Sequence, residues 1–212
     1  MTRAVLFDID GVLIHGYHHR PELQRRWDKD LQADLGIHPQ SLKQAFFHDV
    51  FIKKVIIGQM NLVDALDRVL PSLGYRGSTL AFLDYWFEHD SQLNAELVDI
   101  ARRLKAAGAR LYIATNQEHL RARHLWHTLR LGEVFEDMFY AARLGVTKPS
   151  PEFFAKVNRR LGLQAEPPLL FDDSPPVIAA ARAAGWEAVE YLRLEDCTTH
   201  PWIAAQLEKS IG

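Results

Sequence analysis

Residues 4–13 read Ala4-Val5-Leu6-Phe7-Asp8-Ile9-Asp10-Gly11-Val12-Leu13. The opening apolar run does not alternate in polarity, which predicts a strand over 4–9 buried on both faces of a parallel sheet. Asp8 and Asp10 stand two places apart. In an extended chain such residues point the same way, so both carboxylates are expected on one side. Gly11 follows at once and allows a turn where backbone approaches a ligand closely.

Working outward, further apolar runs at 111–114 and 168–171 have the same character, and weaker ones lie at 138–142 and 187–192. Amphipathic helical stretches over 96–107, 118–131, 151–161 and 175–184 separate them, each followed by a glycine stop at Gly108, Gly132, Gly162 or Gly185. Strands alternating with helices predict an α/β fold, a Rossmann-like parallel sheet flanked by helices. From 16 to 90 the rhythm breaks. Helices are expected there over 23–35, 41–57, 62–70 and 78–87, punctuated by Pro39, Gly58, Pro71 and Gly74. This stretch is too long for a plain loop. It reads as an inserted α-helical cap domain (16–90) on a catalytic core of 1–15 and 91–212.

The bulk properties of the 212-residue chain narrow the class. Apolar residues make up 48%, charged residues 25%, and the formal net charge is -2. No overall basic field suggests nucleic acid or an anionic membrane. No apolar run approaches the roughly 20 residues of a membrane span, and the first strand is too short and too acidic for a signal peptide. Cys197 is the single cysteine, so no internal disulfide can form, which fits a reducing compartment. A cytoplasmic protein is expected, with no nucleic-acid or membrane partner, as a monomer or homodimer.

Three strand-like runs end on residues suited to chemistry: Asp8, then Thr115, then Asp172 and Asp173. The carboxyl ends of parallel strands share one sheet edge, where ligands bind. Asp8, Asp10, Asp172 and Asp173 would thus crowd together, and a shared cation would relieve their repulsion. Oxygen donors favour a hard cation, which makes Mg2+ the natural candidate. Lys148 adds a positive charge for carboxylate or phosphate. No Gly-x-Gly-x-x-Gly follows the first strand and no Gly-rich loop ends in Lys-Ser/Thr, which argues against dinucleotide and P-loop binding. The histidines form no His-Glu-x-x-His pattern. His15, Tyr17 and His18 lie where the chain enters the insert and are candidates to line a substrate pocket. Lys53, Lys54, Trp86 and His89 are weaker candidates within the insert. Asn116, beside Thr115, is a candidate to touch phosphate.

The ordered set resembles the haloacid dehalogenase-like (HAD) superfamily of hydrolases. Asp8-Ile9-Asp10-Gly11-Val12 matches its first motif and Thr115, ending Leu111-Tyr112-Ile113-Ala114, its second. Lys148-Pro149 matches the third, and the Asp172-Asp173 pair after Leu170-Phe171 the fourth. The likeness covers 4–15 and about 95–192, and the insert resembles the helical cap of one branch. The resemblance implies a phosphatase acting on a small phosphorylated molecule. Asp8 would be the nucleophile and Asp10 the acid and base. Thr115 and Lys148 would hold the phosphoryl oxygens. Mg2+ would be bound by Asp8, the main-chain carbonyl of Asp10 and Asp173, assisted by Asp172. An acid at Asp10 favours phosphate esters over carbon–halogen bonds, because dehalogenases of this superfamily carry another residue there. A phosphosugar mutase of the same superfamily and a non-catalytic binding module are the alternatives.

Overall fold

The computed structural model describes residues 3–162 and 165–209, so residues 1–2 and 210–212 of the expected core lie outside the described residues. Strand β1 (Ala4–Phe7) leads into a short strand β2 (Ile14–His15) and then the helical insert. The insert holds α1 (Leu31–Leu35) and α2 (Pro39–Leu42), which runs on into wide π-type turns over Lys43–Val55, then α3 (Leu62–Val69) and α4 (Thr79–His89). The chain returns through β3 (Gln92–Leu93) and α5 (Ala95–Ala106) to β4 (Arg110–Thr115). Then come α6 (His119–Arg123), continuing as π-type turns to Thr128, β5 (Asp137–Tyr140), α7 (Ala141–Leu144) and α8 (Pro151–Leu161). Last are β6 (Leu169–Asp172), α9 (Pro175–Ala183), β7 (Glu187–Glu190), α10 (Leu194–Thr198) and α11 (Pro201–Lys209).

The five longer strands form one parallel sheet in the order β5-β4-β1-β6-β7. Phe7 is level with Ile113 on one side and Phe171 on the other. Side chains of β1 alternate between two cores. Val5 and Phe7 pack with Leu97, Ala101, Ile203 and Cys197 under α5, α10 and α11. Ala4 and Leu6 pack with Phe153, Phe154, Val157 and Ile178 under α8 and α9. Helices on both faces explain why the strands lack a polar side. The chain moves outward from β1 to β4 and β5, then crosses back to β6. The strand order therefore reverses at β1, which opens a crevice at its carboxyl end.

The insert has a core of its own. Leu31, Phe46, Leu66, Phe82 and Trp86 are buried together. The Trp86 ring stacks on Trp27 at 5.7 Å between centroids and meets Phe47 edge-on at 5.2 Å, geometries that aromatic quadrupoles favour. No helix among the described residues is long and apolar enough to cross a membrane.

Four expectations need correction. The strand expected over 4–9 stops at Phe7, where a tight turn takes over. The helix expected over 23–35 survives only as α1. Gln24 is extended (φ -68°, ψ 132°), Arg25 N–H donates to the Gly16 carbonyl at 2.8 Å, and Trp27 turns into the aromatic cluster. Burying that ring outweighs a weak helix preference. The helix expected over 118–131 gives way to π-type turns and then a left-handed residue, Arg130 at φ 59°, so it ends before Gly132 is reached. Residues 138–142 split between β5 and α7.

Phe153 is fully buried. Phe153→Ala is expected to lower stability by about 3–5 kcal/mol, measured as a shift of the urea midpoint with an unchanged slope.

Candidate active site

The turn after β1 is tied by Val12 N–H to the Ile9 carbonyl (3.2 Å), Ile14 N–H to Ile9 (2.8 Å) and Gly11 N–H to Ile14 (2.9 Å). Gly11 has φ +77°, and a Cβ there would fall 2.5 Å from Asp173 Oδ2. Only glycine lets the turn lie so close to that carboxylate. The turn also sends the two aspartates to different partners, rather than along one side of a continuing strand.

Asp8 begins the turn, with its own N–H bonded to the Phe171 carbonyl at 2.9 Å. Its Oδ1 accepts from Ile9 N–H at 2.7 Å, and its Oδ2 lies 3.0 Å from Lys148 Nζ. Lys148 is buried. Its ammonium also donates to Asp172 Oδ2 at 2.5 Å and to the Ala114 carbonyl at 2.8 Å. Burial works to depress the ammonium, but Asp172 and Asp8 together outweigh it and hold Lys148 above its ordinary value. Lys148 is itself braced by Asn116. Asn116 Oδ1 accepts from Lys148 N–H at 2.8 Å, and Asn116 Nδ2 donates to the Lys148 carbonyl at 3.0 Å. The side-chain amide expected near phosphate is therefore engaged with the Lys148 main chain through both its oxygen and its nitrogen. Thr115 ends β4 next to Ala114 and is buried.

Asp172 accepts from Ser174 N–H at 3.0 Å as well as from Lys148. Asp173 Oδ2 accepts from His19 N–H at 2.5 Å. Burial, with Asp8 nearby, pushes both carboxyls up to about 7, although Lys148 pulls each back. Asp8, Asp172 and Asp173 each bring a carboxylate oxygen within 4.8 Å of the others. Three carboxylates facing one ammonium leave two negative charges unmatched, and every donor is oxygen. A hard divalent cation fits that set in charge and in chemistry. The Asp10 side chain, expected among the metal ligands, stands outside this trio.

Asp10 instead meets residues the sequence reading missed. Gln117 Nε2 donates to its Oδ2 at 2.6 Å, and Arg121 Nη2 to its Oδ1 at 3.2 Å. Desolvation raises the Asp10 carboxyl, Arg121 opposes this, and Asp8 adds to it, with a net upward shift. Glu118 caps α6 by accepting from Leu120 and Arg121 N–H. One signal could have revealed Arg121. It sits one helical turn before buried Leu125, on the apolar side of α6, where a charge is out of place.

The remaining candidates separate. Tyr17 is exposed near Asp173 and Asp10, whose charges, after burial, raise its hydroxyl. His18 is buried. Its Nδ1 accepts from Arg20 N–H at 2.9 Å and lies 3.5 Å from Asp173 Oδ2. Burial first, then Arg20, depress its pKa, and the accepting Nδ1 describes a neutral ring. His15 pairs with Gln92 in the β2–β3 ribbon, and its charged neighbours are Arg25 and Glu96 rather than the aspartates. In the insert, Lys53 pairs with Asp49 at 2.5 Å, Lys54 is exposed, His89 stacks on Tyr85 at 4.0 Å, and Trp86 is core.

Comparison with known proteins agrees with this geometry. The model of the haloacid dehalogenase-like hydrolases matches residues 2–185. A phosphoglycolate phosphatase of Rhodospirillum rubrum is 28% identical over 197 residues, taking in 87% of this chain and 77% of that protein. Protein CbbY of Rhodobacter capsulatus is 34% identical over 115 residues, covering 51% of this chain and 49% of its own length. A HAD family enzyme of Bacteroides thetaiotaomicron, solved in complex with magnesium and inorganic phosphate, superposes with a TM-score of 0.70 at 18% identity. That superposition covers 89% of this chain and 93% of the other. A parallel sheet with an acid-rich crevice at its carboxyl edge and a helical cap after the first strand defines a Rossmann-like hydrolase. The chain belongs to the haloacid dehalogenase-like hydrolase family.

Gly11→Ala would push a methyl group against Asp173 and add about 1–3 kcal/mol of backbone strain. Magnesium affinity is expected to fall about tenfold or more, measured by calorimetric titration.

Proposed function

We propose that the chain is a magnesium-dependent phosphatase that cleaves a small phosphate monoester through a phosphorylated Asp8. The observation that carries this reading is the separation of the first motif's two carboxylates. Asp8 faces Lys148 and the Asp172–Asp173 pair, while Asp10 faces Gln117 and Arg121. Two carboxylates in unlike surroundings suit two unlike tasks.

In the first step an Asp8 oxygen bonds to phosphorus and the ester P–O bond breaks, with Asp10 giving its proton to the leaving oxygen. In the second, Asp10 takes a proton from water, the water oxygen bonds to phosphorus, and the bond to Asp8 breaks. Lys148 and Thr115 face the phosphoryl oxygens, and Lys148 balances the charge that grows there. Asp8, the Asp10 main-chain carbonyl and Asp173 would hold Mg2+, with Asp172 assisting through its place beside Lys148. When bound, the ion draws charge from the phosphoryl group. The upward shift of Asp10 favours the proton it must donate.

Residues 16–90 act as the cap over this site, and Tyr17 and His18 contribute to its pocket. The cap restricts access to small substrates. The kinship with a phosphoglycolate phosphatase puts short phosphorylated acids first among those to test.

The test is a phosphate-release screen over phospho-acids, sugar phosphates and nucleotides, with and without magnesium. Release is expected for at least one ester, to be lost with EDTA and restored by magnesium. Asp8→Asn should fold and lose turnover by about three orders of magnitude or more. Full activity in that variant sinks the reading, and isomerisation of a hexose phosphate without phosphate release redirects it to a mutase.

A further inference from the structure

Arg121 has no part in the steps above, yet it is one of the most buried charges in the protein. The residue is 2% exposed. It serves two carboxylates at once. Nη2 donates to Asp10 Oδ1 at 3.2 Å and to the main-chain oxygen of Asp90 at 2.7 Å, while Nη1 lies 2.9 Å from Asp90 Oδ2. Asp90 is buried in turn and follows the last cap helix, α4. Its Oδ2 accepts from Trp86 Nε1 at 3.1 Å, which links it to the aromatic cluster of the cap. Its Oδ1 faces Gly16, where the chain enters the cap, at a point where a Cβ would fall 2.8 Å away. The two chain segments that join cap to core therefore meet at Asp90.

Stability alone is a poor reason for this arrangement. Desolvating a guanidinium and two carboxylates costs much of what their attraction returns, and an apolar side chain would fill the same space on α6. What the arrangement does supply is direction. Gln117 holds one Asp10 oxygen and Arg121 the other, so the plane of the carboxylate is fixed. Asp90 grips Arg121 through two separate oxygens, which sets where the guanidinium can reach.

We propose that Arg121 is a positioning residue that orients the Asp10 carboxylate and ties that orientation, through Asp90, to the junction between cap and core. The inference rests on the phosphatase reading, in which Asp10 is the acid. A carboxyl group displaced by a fraction of an ångström donates its proton poorly. Changes at Arg121 should therefore act on proton donation and not on phosphorylation in general.

The leaving group separates the two. p-Nitrophenolate departs without a proton, whereas an alkoxide needs one. kcat/KM reports the steps up to phosphorylation of Asp8 and leaves out the later hydrolysis. The ratio of kcat/KM for phosphoglycolate, or the most active alkyl monoester of the screen, to that for p-nitrophenyl phosphate thus reads the acid. Both values come from one preparation, so any loss of folded enzyme cancels. Asp10→Asn is expected to lower the ratio about 100-fold or more. Arg121→Gln is expected to lower it about tenfold or more, and Arg121→Lys by less. Should Arg121→Gln fail to fold, Asp90→Asn, which never touches Asp10, is expected to lower the ratio several-fold. An unchanged ratio in the Arg121→Gln protein, or in Asp90→Asn where that must stand in for it, overturns the inference while an active wild type keeps the phosphatase reading. A wild type that releases no phosphate from any ester overturns both.

Discussion

The site depends on one buried ammonium. Lys148 Nζ sits among three oxygens, from Asp8, Asp172 and the Ala114 carbonyl, contributed by the ends of β1, β6 and β4. Without it, the carboxyl ends of three neighbouring strands would bring negative charges and a carbonyl dipole together in a dry crevice, which is untenable. With it, the strand ends close on one another. Charge is then left over on the carboxylate side alone, where a divalent ion can use it. The sheet order places the crevice at β1, and Lys148 makes the crevice chemically possible.

The same arrangement explains how much was readable in the chain itself. The strands could be read because helices cover both faces of the sheet, so runs such as 111–114 and 168–171 carry no polar residue. The gathering of Asp8, Lys148 and Asp173 could be read because each stands at a fixed offset from such a run or from Pro149. Local pattern failed where distant residues decide conformation. Trp27 leaves a helix-compatible stretch because Trp86, far along the chain, offers it a stacking partner. Arg130 takes a left-handed conformation that glycine usually holds, so the helical turns stop at Thr128, before Gly132 is reached.

Asn116 and Arg121 show a second kind of failure. Asn116 was singled out and Arg121 was not, but the partners of both come from geometry no spacing encodes. Asn116, a candidate to touch phosphate, also clamps the main chain of Lys148. Arg121 went unremarked in the sequence and is shared by Asp10 and Asp90. In both cases a polar side chain is bonded to a neighbouring residue of the crevice. Such support is set by which elements pack together, and the sequence shows that only after the topology is known.

The β2–β3 ribbon has a consequence of another sort. It sets Ile14 beside Leu93 and His15 beside Gln92, so the chain leaves the sheet domain and returns to it at almost the same point in space. Just inside that doorway, His19 and Asp90 reach back to the crevice, His19 through its N–H to Asp173 and Asp90 through Arg121. An excursion anchored at one doorway can therefore vary far from it, while the residues at the doorway itself stay bound to the body it leaves. The ribbon thus works as a hinge pin: it fixes where the insert leaves and re-enters the sheet domain, whatever the helices beyond it do.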